Sequence, residues 1–123
     1  MEPRGIVWAG TRTTAYAAMT TFAGDTLGLR VVEETDGMTV YELADGDRFE
    51  VFDATGAEGA SYFDAPVVGF LVDDVAAAAA ELEAAGVELL GPVADVGESA
   101  WAHFRAPDGH VYELAAGDRF RTR

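Results

Sequence analysis

The sequence runs twice through one pattern, as Asp45-Gly46-Asp47-Arg48-Phe49-Glu50-Val51 and again as Asp108-Gly109-His110-Val111-Tyr112-Glu113-Leu114. Both stretches contain a turn, then an aromatic residue, a glutamate and an aliphatic residue. They begin 63 residues apart, about half of the 123-residue chain. A repeat at this spacing indicates two copies of one supersecondary unit, each of which needs the other to cover its apolar face.

Outward from these stretches, turn residues and apolar runs predict the same order of elements in both halves: strand, helix, strand, strand, strand. Asp73-Asp74 is the predicted N-cap of the second helix, and Gly86 is its predicted C′ residue. In the first half the predicted elements are strand 6–9, helix 15–22 and strands 29–34, 38–43 and 48–52. In the second half they are strand 67–72, helix 75–85 and strands 87–90, 100–106 and 110–114.

This order predicts an α+β fold, with two paired β-α-β-β-β modules in a single domain, 1–123. Module one spans 5–53 and module two spans 67–117. A polar, glycine-bearing linker, 54–66, joins them, because Pro66 prevents a helix from running through it. A tail follows at 118–123.

The charge of the chain narrows its range of partners. Lysine and cysteine are absent, and 8 arginines stand against 22 acidic residues, a formal net charge of −14. The missing lysine excludes Schiff-base chemistry and a phosphate-loop lysine. The missing cysteine excludes disulfides and fits a reducing compartment. The negative field repels nucleic acids and anionic lipids. Since no leader or membrane-length apolar run is present, we expect a cytoplasmic protein without nucleic-acid or membrane partners.

Two stretches of the second half carry a family resemblance. Phe70-Leu71-Val72-Asp73-Asp74-Val75 and the stretch from Phe104 to Leu114 resemble the second-module signatures of the vicinal oxygen chelate superfamily. Glyoxalase I, extradiol dioxygenases, fosfomycin-resistance enzymes and bleomycin-resistance binding proteins belong to it. The resemblance implies that a curved sheet from each module closes around a cleft, commonly in a homodimer. It does not fix function, because this superfamily contains both catalysts and binding proteins.

The resemblance also implies where a metal ion would be held. Metal-dependent members place histidine or glutamine near the start of each module's first strand and glutamate on each module's last strand. The first two positions fall on Trp8 and Val67, which cannot bind a metal, and the glutamates fall on Glu50 and Glu113. We therefore predict no metal and no other cofactor. One divalent ion held by Glu50 and Glu113 is the alternative.

Strand alternation predicts which side chains line the cleft. Trp8, Gly10 and Arg12 share one face of the first strand, and Trp101, His103 and Arg105 share one face of a strand in module two. Two indoles favour a flat aromatic ligand. His103 is a candidate general base, but no residue is assigned as catalytic. We interpret His110 as a turn residue. The predicted ligand-binding residues are Trp8, Arg12, Met38, Val67, Trp101, His103, Arg105 and Glu113.

Three functions are compatible with these residues. The first is a metal-free protein of the glyoxalase and bleomycin-resistance type that sequesters a small aromatic molecule, such as a cationic antibiotic; this hypothesis leans away from an enzyme. The second is a divergent metal-dependent lyase or dioxygenase that uses Glu50, Glu113 and His103. The third is a structural or regulatory dimer whose cavities are filled by Met38, Val40 and Leu71.

Overall fold

The computed structural model of the protein describes residues 1–56 and 66–120. The chain divides into two compact units. We call Trp8–Pro66 the N-terminal unit, and Met1–Val7 together with Val67–Arg123 the C-terminal unit. Of the predicted linker and tail, residues 57–65 and 121–123 lie outside the described residues. Across the described ranges 1–56 and 66–120, no helix is long and apolar enough to cross a bilayer.

The N-terminal unit is a four-stranded sheet with a helical segment. The elements are β1 (Ile6–Thr13, whose first two residues belong to the C-terminal unit), α1 (Tyr16–Thr21), β2 (Arg30–Thr35), β3 (Met38–Glu42) and β4 (Arg48–Asp53). A π-helical turn, Phe22–Thr26, continues α1. The strands are ordered β2-β3-β4-β1; β1 runs parallel to β4 and the other pairs are antiparallel.

The helical side of this sheet carries the core of the N-terminal unit. Ala23, Tyr41 and Val51 are buried together, with Tyr16 and Phe49 packed against them. The Tyr16 hydroxyl lies 2.6 Å from the Thr39 hydroxyl and forms a hydrogen bond with it. Because side chains alternate along a strand, the residues between these core positions point to the opposite face of the sheet.

The described part of the C-terminal unit contains one helix and five further strands: β5 (Val67–Leu71), α2 (Val75–Ala84), β6 (Glu88–Leu89), β7 (Ala94–Asp95), β8 (Ala100–Arg105) and β9 (Val111–Ala116). Its sheet order is β5-β9-β8-β6, and β7 also pairs with β8. Strands β5 and β9 are parallel; β6, β7 and β9 each run antiparallel to β8. The mixed sheets of the two units, with few helices, confirm the predicted α+β class.

Helix α2 begins and ends as its sequence predicts. The Asp74 carboxylate accepts a hydrogen bond from the Ala77 amide at 3.0 Å, which satisfies one of the free amides of the first turn. Gly86 follows the last turn with φ +86, a left-handed conformation that favours glycine. The alanine-rich helix packs closely on its sheet, since Ala78 is buried against Ala102 and Leu114.

The two repeated stretches form the same turn. The Asp45 carboxylate accepts from the Asp47 amide at 3.0 Å, and the Asp108 carboxylate accepts from the His110 amide at 2.9 Å. Gly46 and Gly109, which follow the aspartates of the two turns, both have positive φ. Aspartate therefore fixes the turn by bonding the backbone two residues on, while glycine supplies the left-handed residue.

The first seven residues belong to the C-terminal unit because they bond to it. The Arg4 amide donates to the Leu71 carbonyl, and the Leu71 amide donates to the Gly5 carbonyl, each at 2.8 Å. The Arg4 guanidinium also contacts the Asp73 carboxylate at 2.8 Å.

Three elements differ from the sequence-based prediction. β1 continues to Thr13 rather than ending near Ala9, because its residues from Trp8 onward pair with β4 and threonine suits a strand as well as a helix cap. β7 was not predicted, since a two-residue strand leaves no periodic signal. The last strand begins at Val111 and extends to Ala116, because alanines 115 and 116 pair with β8.

Candidate functional site

Each unit places one buried glutamate at the middle of the sheet face that points away from its helical core. Glu50 on β4 lies opposite Gly10 of the parallel strand β1. Glu113 on β9 lies opposite Gly69 of the parallel strand β5. The two carboxylates therefore occupy equivalent positions, and Glu50 and Glu113 are only 8% and 5% exposed.

In the N-terminal unit the glutamate is bonded by a tryptophan. The Trp8 indole Nε1–H donates a hydrogen bond to the Glu50 carboxylate. The indole lies over Gly10, where a Cβ would come within 2.5 Å of the Trp8 Cζ2. Only 4% of Trp8 is exposed. We call this surface, with Trp8, Gly10, Arg12, Met38 and Glu50, the Glu50 face.

Two other predicted residues occupy the end of the Glu50 face. Met38 is partly buried and pairs across β3 and β4 with Phe52, which pairs in turn with Arg12. The Arg12 guanidinium donates to the carbonyls of Ala54 and Gly56 at 2.8 and 2.7 Å. Arg12 thus holds the segment that leaves β4, a role that its sequence context did not indicate.

In the C-terminal unit the glutamate has a histidine as its neighbour. Glu113 pairs across the antiparallel strands with His103, and the His103 Nε2 lies 3.9 Å from the Glu113 Oε1. Trp101, two residues before His103, shares this face and is partly buried. Val67, two residues before Gly69, shares it as well and is buried. We call this surface, with Val67, Gly69, Trp101, His103 and Glu113, the Glu113 face.

Burial favours the neutral form of His103. At 3.9 Å its imidazole is too far from the Glu113 oxygen for a hydrogen bond. Desolvation disfavours the imidazolium and lowers the pKa of His103 below its ordinary value. A neutral imidazole beside a buried carboxylate does not cancel the charge of that carboxylate. The Glu113 face can therefore accept hydrogen bonds from a cationic group and offers an imidazole for proton transfer.

The other positions considered from the sequence are Arg105, at the end of β8, and the apolar residues Val40 and Leu71. Arg105 is exposed at the end of β8, where it donates to the Glu88 carboxylate at 3.1 Å and to the Gly109 carbonyl at 2.8 Å. The structure thus gives Arg105 a role in the turn before β9. Val40 and Leu71, which would fill a collapsed cavity, are both buried.

The chain belongs to the Glyoxalase/Bleomycin resistance protein/Dioxygenase superfamily, whose family model matches residues 5–114. The family predicted from the sequence is confirmed. No curated protein matches the chain.

Solved structures share the fold at low sequence identity. The Mn(II)-bound glyoxalase from Novosphingobium aromaticivorans is 21% identical with a TM-score of 0.74, over 98% of this chain and 41% of that chain. A methylmalonyl-CoA epimerase variant from Streptomyces coelicolor, in complex with 2-nitronate-propionyl-CoA, is 19% identical with a TM-score of 0.69, over 99% and 100%. A member of the same superfamily from Vibrio splendidus 12B01 is 16% identical with a TM-score of 0.67, over 91% and 97%. At these identities the likeness establishes the fold alone.

The residues at the expected metal positions do not fit a transition-metal ion. Trp8 has no lone pair to offer and its N–H bonds to Glu50, so this carboxylate already serves as a hydrogen-bond acceptor. The side chain of Val67 is a hydrocarbon and has no atom that could bind a metal ion. The Glu113 face offers one imidazole and one carboxylate, whereas catalytic transition-metal sites normally have three protein ligands. Within residues 1–56 and 66–120, no cluster of three histidine, aspartate or glutamate side chains could hold an ion.

Proposed function

We propose that the protein binds a small aromatic molecule carrying an amine, without a metal ion, on the Glu113 face. The observation that carries this proposal is the buried Glu113 carboxylate with the His103 imidazole beside it. A carboxylate in this setting is a strong acceptor for an ammonium group, because such charge-assisted hydrogen bonds are about twice as strong as neutral ones.

The neighbours of Glu113 favour an aromatic ring next to that amine. Trp101 is partly exposed and presents an indole, and Val67 adds an apolar surface. Stacking on an indole contributes about 0.5–1.5 kcal/mol beyond the area that it buries. The net charge of −14 also raises the local concentration of cations. Sequestration of a cationic aromatic compound, in the manner of a bleomycin-resistance protein, is the form of binding that we propose.

Calorimetric titration with three matched probes tests the proposal. Benzylamine carries a ring and a charge, benzyl alcohol carries only the ring, and cyclohexanemethylamine carries the charge without aromaticity. We expect benzylamine to bind most tightly and EDTA to leave its affinity unchanged. Glu113→Gln should weaken benzylamine binding about 10-fold or more, because a hydrogen bond to a charged group contributes about 1.5–3 kcal/mol.

A surface glutamate provides the control. Glu88 is exposed and its carboxylate accepts a hydrogen bond from Arg105, so Glu88→Gln should leave benzylamine affinity unchanged. Equal affinities for the three probes, or equal affinities in wild type and Glu113→Gln, would refute the proposed site. If EDTA abolishes binding and stoichiometric metal is found in the protein, the metal-dependent alternative replaces this proposal.

A further inference from the structure

A row of charged residues crosses the sheet of the N-terminal unit on the Glu50 face. Arg30 on β2 pairs with Glu42 on β3, Glu42 pairs with Arg48 on β4, and Arg48 pairs with Trp8 on β1. All four positions alternate with the core residues of β3 and β4, so they share one face. We call Arg30, Glu42 and Arg48 the arginine row.

The charges of the arginine row do not balance. Arg30 donates from its Nη2 to the Glu42 Oε1, and the Arg48 Nη2 lies 3.0 Å from the Glu42 Oε2. Each oxygen of this one carboxylate thus has its own guanidinium. The row by itself therefore has one more positive charge than negative charges, in a chain whose net charge is −14, and Glu50 is a further carboxylate on the same face.

Arg48 also holds a buried donor that the sheet leaves unused. Its side chain is 17% exposed, and its Nε is fully buried and donates no hydrogen bond to any part of the chain that the structure describes. Buried polar groups in proteins are nearly always hydrogen-bonded, and an exception calls for an explanation. Arg30, at the outer end of the row, is 69% exposed, so the row leads from solvent to Arg48.

We propose that the arginine row is a binding site for the carboxylate of a small organic acid. The planar guanidinium of Arg48 presents its Nε–H and neighbouring Nη–H groups in a geometry that suits the two oxygens of a carboxylate. A single excess charge matches a monoanion. A phosphate dianion would meet one excess positive charge against a strongly negative chain, so it is the weaker fit. This site lies in a different unit from Glu113, takes the opposite charge and does not rest on the proposed function.

Arginine side-chain resonances report on this site directly. In isotope-labelled protein, two-dimensional proton–nitrogen spectra resolve the Nε–H groups, and sodium benzoate is the probe. We expect a saturable shift of the Arg48 Nε–H and none for Arg4, whose Nε donates to Asp73 in the C-terminal unit. Benzyl alcohol, and sodium chloride at equal ionic strength, should leave the Arg48 signal in place.

Two substitutions separate recognition from a purely structural ion pair. Arg48→Lys keeps the charge but loses the planar donors, and should weaken benzoate binding about 10-fold. Glu42→Gln removes the competing carboxylate and should strengthen benzoate binding about 3-fold. A structural ion pair gives no reason for that gain, and Glu42→Gln remains informative if Arg48→Lys fails to fold. Arg4→Lys is the matched control and should have no effect.

Three results would overturn the proposed site, and a fourth would contradict its proposed ligand. The first is a benzoate response that does not saturate, or that moves Arg4 and Arg48 alike. The second is unchanged benzoate affinity in a folded Arg48→Lys protein. The third is weaker rather than stronger binding in Glu42→Gln. Saturable binding of inorganic phosphate that is tighter than that of benzoate would contradict the assignment to a carboxylate.

Discussion

Replacing Trp8 with phenylalanine removes the indole N–H that donates to Glu50 while keeping an aromatic ring over Gly10. A hydrogen bond to a charged group contributes about 1.5–3 kcal/mol, and here both partners are buried. We therefore expect Trp8→Phe to lower the free energy of unfolding by about 2 kcal/mol. For a chain of this size the thermal midpoint should fall by about 8 °C.

A double-mutant cycle isolates the hydrogen bond from the loss of ring volume. Urea unfolding, followed by circular dichroism, is measured for wild type, Trp8→Phe, Glu50→Gln and the double variant. We expect a coupling energy of at least about 1 kcal/mol, since the two side chains share one bond. The control cycle combines Trp8→Phe with Tyr16→Phe, because the Tyr16 hydroxyl bonds to Thr39 on the other face of the same sheet and takes no part in the Trp8–Glu50 bond. A Trp8–Glu50 coupling no larger than that of the control pair would refute the reasoning.

Three further substitutions test other parts of the structure. Gly10→Ala should lower the free energy of unfolding by about 1–3 kcal/mol, because the added methyl group overpacks the site against Trp8. Gly24→Ala is the control: a Cβ at this position would meet no packed neighbour within 4 Å, so the change should be neutral or slightly stabilising. Urea unfolding compares the two variants. Asp74→Ala should cost about 1 kcal/mol by removing the N-cap of α2, and Asp73→Ala should cost less; thermal unfolding compares them. Because the pKa of His103 is lowered in the folded protein, the unfolded chain binds a proton at His103 at a higher pH than the folded protein does. Stability should therefore be lost as the pH falls below about 6.5, and His103→Asn should flatten that loss in unfolding curves across the pH range.

The sequence predicts the local elements well, because their signals are short-range. Aspartate–glycine turns specify the start of β4 and the approach to β9, and Asp74 specifies where α2 begins. Alternation along β8 also predicts that Ala102 and Phe104 face the helix, and both pack in that core. Each of these features depends on residues only a few positions apart, so composition and spacing suffice to predict them.

Contacts between strands that are distant along the chain could not be predicted from the sequence. The bond from Trp8 to Glu50 depends on the parallel register of β1 and β4, which brings together residues 42 positions apart. The arginine row depends on the register of three strands, and no sequence motif predicts it. Its one sequence signal is that Arg48 stands two residues before Glu50 and so shares its face.

The two units place different neighbours beside equivalent glutamates. Equivalent glutamates face a glycine of the parallel strand in both units, but their other neighbours differ. In the N-terminal unit, Trp8 satisfies Glu50 from within the chain. In the C-terminal unit, Glu113 has His103 as its cross-strand neighbour, with the His103 Nε2 3.9 Å from the Glu113 Oε1. A buried carboxylate with an imidazole and the Trp101 indole on the same face is the physical reason for proposing that the ligand amine binds at Glu113.

A crystal structure of the protein in complex with benzylamine tests this account most directly. We predict density for the ligand with its ammonium nitrogen about 2.7–2.9 Å from a carboxylate oxygen of Glu113 and its ring against Trp101. A metal ion about 2.0–2.2 Å from both His103 and Glu113, or a ligand that binds without touching Glu113, would contradict it.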